Sequence, residues 1–97
     1  MQAEAQALSK LSPKGVKGFV EHAAQRAAER GFTNQSILRI VAEGQKVHAA
    51  GRYGPQIRYT LGNNTIVVSE SGNNAGKIVT TFSNQTINGI KGFFSPF

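Results

Sequence analysis

The chain has no cysteine, no tryptophan and no aspartate, and its only acids are five glutamates: Glu4, Glu21, Glu29, Glu43 and Glu70. Without cysteine there can be no disulfide, no thiolate nucleophile and no sulfur-ligated zinc. A domain with no need of disulfide staples can work in a reducing cytosol. So few carboxylates argue against a magnesium or calcium site built from them. They argue equally against a two-metal nuclease and a carboxylate-pair glycosidase. No apolar run approaches membrane-spanning length. The first residues, MQAEAQALSK, lack the charged-then-apolar layout of a signal peptide and read as the start of a fragment from a larger parent chain. Neither a Walker loop nor a strand-linked GxGxxG is present.

What the chain does have is base. Eleven lysines and arginines give a net charge of +6 in 97 residues. That length supports one small domain with a modest core. The charge makes a polyanion the natural partner: nucleic acid, an acidic protein or a membrane surface.

Residues 1–12 are rich in Ala and Gln with little amphipathic pattern and read as a flexible leader, leaving 13–97 as the single domain. Ser12-Pro13 is a helix-entry signal. Apolar positions at 16, 19, 20, 23, 24 and 27 predict a helix from about Lys17 to Arg30, stopped by Gly31 in the left-handed conformation. Thr33 is placed to cap a second helix carrying Ile37, Leu38, Ile40 and Val41, which Gly44 ends. Beyond Gln45 the period becomes two. Strands are predicted at Lys46–Ala50, Gln56–Leu61, Thr65–Glu70 and Lys77–Ser83, with a hairpin turn at Gly62-Asn63-Asn64. The tail from Asn84 is either a last edge strand with a docked end or a partly ordered segment. The order predicts an α+β domain, with two N-terminal helices packed on one face of a four- to five-stranded antiparallel sheet. Simple alternation puts Ile57, Tyr59, Leu61, Ile78 and Phe82 under the helices. It puts Arg58, Thr60, Thr81 and Ser83 on the opposite, open face.

His22 can act as acid or base near neutral pH, and Arg26, one helical turn on, can share a phosphate with it. Arg30 reads as a surface residue paired along its helix. Arg58 on an open sheet face can grip a scissile phosphate with its planar fork. Hydroxyls of Thr81 and Ser83 could orient that phosphate, although threonine is also common in strands for its shape alone. Lys14, Lys17 and Lys77 join Arg26 as expected RNA contacts. His48 could serve as partner to His22 in an acid–base pair if the fold brings them together. Otherwise it is a surface strand residue.

The segment His-Ala-x-x-Arg-x-x-Glu-Arg-Gly-Phe-Thr (22–33) is followed by a capped helix. Then come Arg58-Tyr59-Thr60, Asn64-Thr65-Ile66-Val67-Val68 and Gly76-Lys77-Ile78-Val79-Thr80-Thr81-Phe82. This series resembles the C-terminal toxin domains of bacterial polymorphic toxins, contact-dependent growth inhibition effectors among them. These have the barnase–EndoU–colicin–RelE fold, and the layout is nearest the colicin D branch. The resemblance spans about residues 14–83. It implies a metal-independent endoribonuclease that cuts transfer RNA by 2′-hydroxyl transesterification and needs no cofactor. It further implies release from the end of a large exported surface protein, action in the target-cell cytoplasm, and neutralisation by a cognate, acidic immunity protein. Apart from that complex the domain would be a monomer with no membrane-spanning segment. The family's helix histidine falls on His22 and its late-strand hydroxyl on Thr81 or Ser83. Two features depart from that branch: Glu21 rather than lysine precedes His22, and the late tryptophan is missing. The alternative reading is a non-catalytic basic module that binds nucleic acid or an acidic protein.

Overall fold

The computed structural model describes residues 18–51, 54–84, 86–87 and 89–95. The predicted leader, Lys14 and Lys17 lie outside the described residues.

The fold is α+β, with two helices and a five-stranded sheet. The chain opens on a two-residue strand, β1 (Gly18–Phe19), and turns into helix α1 (Ala23–Glu29) and then α2 (Asn34–Glu43). Four strands follow: β2 (Gln45–Gly51), β3 (Gly54–Leu61), β4 (Asn64–Ser69) and β5 (Lys77–Ser83). A short hairpin, β6 (Thr86–Ile87) and β7 (Ile90–Lys91), forms its own ladder. The sheet order is β1-β5-β4-β3-β2. Its last four strands are an antiparallel meander, but β1 runs parallel to β5, so the sheet is mixed and a strand precedes the helices.

The first helix is therefore shorter than the apolar spacing predicts. Gly18 sits at φ 145°, a conformation open to glycine and closed to other residues. Phe19 pairs with Ile78, and the Val20 N–H donates to the Ile78 carbonyl at 2.9 Å. His22 then takes a left-handed φ of 64°, so helical geometry begins only at Ala23. The apolar residues 19 and 20 thus serve a sheet edge rather than a helix face.

The helix punctuation follows the sequence. Gly31, at φ 83°, donates to the Ala28 carbonyl, and Phe32 donates to Ala27, which forms a Schellman stop. Phe32 is thereby delivered into the core. Thr33 accepts from the Ser36 N–H at 3.1 Å while Ser36 Oγ accepts from the Thr33 N–H at 2.9 Å, a reciprocal cap. Gly44 joins α2 to β2 where a Cβ would collide with the Ile40 carbonyl and come within 2.9 Å of the Thr60 carbonyl. No side chain fits that corner.

Both helices contribute to one core. Ala27 from α1 and Ile37, Ile40 and Val41 from α2 pack with Tyr59, Ile66, Val68 and Ile78. The far end of this layer is closed by the C-terminal segment. Asn64 Nδ2 donates to the Ser95 carbonyl and Asn64 Oδ1 accepts from the Ser95 N–H, both at 2.8 Å and both buried. The Phe94 N–H donates to the Arg30 carbonyl, and its ring meets Phe32 edge-on at 5.3 Å. Among the described residues no helix is long and apolar enough to cross a membrane.

Candidate functional site

The decisive local feature is a β-bulge in β5. Val67 pairs with Thr80 but Val68 pairs with Ile78, so Val79 is an extra residue on that strand. One inserted residue exchanges the two faces for everything beyond it. Strict alternation puts Ile78 and Phe82 together, with Thr81 and Ser83 opposite. In the structure Thr81 is registered with Ile66 and Tyr59, and Ser83 with Asn64 and Leu61, all on the helix-covered side. Phe82 and Thr80 take the places on the Arg58 side.

Thr81 and Ser83 are accordingly buried, at 2% and 1% exposure. The expectation that they share an open surface with Arg58 is corrected. Arg30 is corrected as well: its guanidinium donates to the Thr81 carbonyl at 2.5 Å, so it ties α1 to the sheet rather than lying on the surface. The Thr81 hydroxyl is sealed without a hydrogen-bond partner. A buried unpaired hydroxyl costs roughly 1–3 kcal/mol. Thr81→Val should therefore raise the melting temperature by several degrees, on the order of 1 kcal/mol, with the fold retained. Thermal denaturation measures this, and a fall in melting temperature would show that the hydroxyl has a partner in solution.

The remaining expected residues are dispersed. His22 is exposed beside β1, its Nε2 3.2 Å from Glu21 Oε1, and both side chains are largely in solvent. Arg26 is exposed one turn into α1. Lys77, half-buried, opens β5 as the partner of Gly18. Arg58 is exposed in mid-β3 on the face away from the helices. His22 and His48 stand at opposite edges of the sheet. Four strand spacings separate β1 from β2, about 19 Å, so the two histidines do not form a pair.

A different pair is assembled instead. His48 Nδ1 lies 2.7 Å from Glu70 Oε1. His48 is on the edge strand β2 and Glu70 immediately follows β4, so the contact spans β3 and passes over Ile57, which is registered with both His48 and Val68. An ionised carboxylate only accepts, so Nδ1–H donates to Glu70, and in the neutral ring Nε2 is the nitrogen left with a lone pair. The imidazole side chain is 66% exposed, whereas that of Glu70 is 28% exposed. The carboxylate is thus the more shielded member and the imidazole the more accessible one. Tyr59 is buried on the same face. Burial raises its phenol above the ordinary value and the Glu70 charge adds to the effect, so it stays neutral at physiological pH. Lys46, exposed two residues along β2, shares the His48 side of the strand. His48 and Glu70 line a shallow, open cleft of about 470 Å³ together with Ala49, Ala50, Gly51, Gly54 and Pro55.

Spacing along the chain leaves His48 as either the partner of His22 or a surface strand residue and gives Glu70 no role. One signal was available: from Gln45 onward the chain holds a single histidine and a single acid, and they are these two. Their meeting depends on the register of three strands, which spacing along the chain does not encode. No protein-family model matches the chain, and neither curated proteins nor solved structures give a match.

Proposed function

We propose that the domain is a metal-independent endoribonuclease whose proton-transfer group is His48, held in place by Glu70. The observation that carries this reading is the 2.7 Å contact between His48 Nδ1 and the Glu70 carboxylate, with the rest of the imidazole open to solvent. A histidine oriented through one nitrogen and free at the other is equipped for general base work. Nε2 would take the proton of an RNA 2′-hydroxyl. The 2′-oxygen then attacks the adjacent phosphorus, the bond to the 5′-oxygen breaks, and that oxygen leaves with a proton from water. The products are a 2′,3′-cyclic phosphate and a 5′-hydroxyl. Lys46 supplies positive charge for the phosphate on the same side of β2. The excess of base over acid favours RNA as substrate, and the resemblance favours transfer RNA. On this reading the domain is an antibacterial toxin, with an acidic immunity protein as its natural antagonist.

The test is incubation of the purified domain with total transfer RNA in excess EDTA, followed by a denaturing gel and end-group analysis. Fragments with cyclic-phosphate and 5′-hydroxyl ends are expected. Intact RNA after prolonged incubation at high enzyme concentration would leave a binding module in place of an enzyme.

A further inference from the structure

The bulge that removes Thr81 and Ser83 from the Arg58 face puts something else there. Two rows of side chains cross this face from β2 to β5. One row is Val47, Arg58, Val67 and Thr80; the other is Gln45, Thr60, Thr65 and Phe82. Thr65 and Val67 on the central strand are buried, so the accessible part is Gln45, Val47, Arg58, Thr60, Thr80 and Phe82. Phe82 is half-buried and belongs to neither the main core nor the apolar side chains packed on it. Arg58 has no ion-pair partner among the described residues. None of these strand positions carries a carboxylate, and Glu70 points to the other side by its pairing with His48.

A cation, an aromatic ring and hydroxyls on strand positions that carry no acid suit one kind of ligand. A single-stranded nucleic acid offers a phosphate to Arg58, a base face to stack on Phe82, and ribose hydroxyls to Thr60 and Thr80. A duplex buries its base faces and cannot use the ring. The two rows span three strand spacings, about 14 Å, enough for more than one nucleotide. We propose that this face is a binding platform for single-stranded RNA, distinct from the His48–Glu70 pair. The two lie on opposite sides of the same edge strand, since Val47 faces the platform and His48 the cleft. A strand held on the platform and passing over the β2 edge would reach the imidazole. The platform rests on the reading above only for the identity of the polymer, because binding requires no cleavage.

The test uses the His48→Ala protein, so that the probe stays intact, and measures fluorescence anisotropy with a labelled ten-nucleotide oligouridine. Phe82→Ala should weaken binding about tenfold, and Phe82→Leu nearly as much, because leucine restores bulk without a stacking face. Arg58→Ala should also weaken binding about tenfold and reduce the slope of log affinity against log salt by about 0.7. Circular dichroism of each variant checks that the sheet persists. Duplex RNA and oligodeoxythymidine should bind more weakly than oligouridine. Unchanged affinity in Phe82→Ala and Arg58→Ala, or full affinity in Phe82→Leu, would overturn the platform. Deoxy-oligomer binding as tight as that of RNA would overturn its assignment to RNA. A protein that binds through these residues yet never cuts would sink the nuclease reading and leave the platform standing.

Discussion

His48→Ala is expected to lower the rate of RNA cleavage by about 100- to 10,000-fold while the protein remains folded. The side chain is largely in solvent on an edge strand, so its removal opens no cavity and leaves no buried group unpaired. Glu70→Gln should cost about 10- to 1,000-fold, because an amide can orient the ring but cannot stabilise the imidazolium that forms as the 2′-hydroxyl gives up its proton. Glu70 is a positioning residue. Its variant should therefore lower kcat with KM nearly unchanged, whereas a disturbed cleft would raise KM. Steady-state cleavage of a short labelled RNA in EDTA separates the two. His22→Ala is the comparison that matters. A loss there equal to the loss at His48 would return the acid–base role to the opposite edge of the sheet.

Asn64→Ala is expected to destabilise the fold by about 3 kcal/mol and to lower the melting temperature by about 10–20 °C. The Asn64 amide satisfies both the N–H and the carbonyl of Ser95 in a buried setting. Truncation leaves those two groups dehydrated and without partners. It also releases the segment that places Phe94 against Phe32 and against the Arg30 carbonyl. Against a net stability of about 5–15 kcal/mol for a domain of this kind, such a loss is large. Asn64→Asp is the sharper variant. A carboxylate still accepts from the Ser95 N–H but cannot donate to its carbonyl, so near-isosteric shape does not rescue it. Denaturant titration with an unchanged m-value would assign the loss to stability. A shift under about 3 °C for Asn64→Ala would show that solvent replaces the lost bonds.

The largest surprise for sequence reasoning is the traffic between the two sheet faces. Alternation identifies Ile57, Tyr59 and Leu61 correctly as one side of β3, because β3 is regular. The same rule fails beyond Val79, where a single extra residue costs little locally and reverses every orientation after it. Nothing in Lys77-Ile78-Val79-Thr80-Thr81 marks the bulge: it has no glycine, and every residue is at home in a strand. The short strand at Gly18–Phe19 is hidden for a related reason. Its two pairings with β5 come from nearly 60 residues away and override a helical spacing that looks sound in isolation. The candidate site shares this character. Arg58 and Thr60 are where alternation puts them, but the β5 hydroxyl beside them is Thr80 rather than Thr81 and Ser83, and His48 is on the opposite face.

The sequence by itself determined whatever depends on a few consecutive residues. That includes the glycine stop at Gly31, the Thr33 cap, the Gly62 turn and the β5 span Lys77–Ser83, together with a basic, cysteine-free character that points to a polyanion. Tertiary structure alone decided the parallel β1–β5 pairing, the faces reversed by the bulge, the burial of Thr81 and Ser83, and the meeting of His48 with Glu70. The physical reason is range. Capping and turn geometry are settled by contacts within about four residues. Register, by contrast, is a property of whole strands competing for one hydrogen-bond ladder and one core.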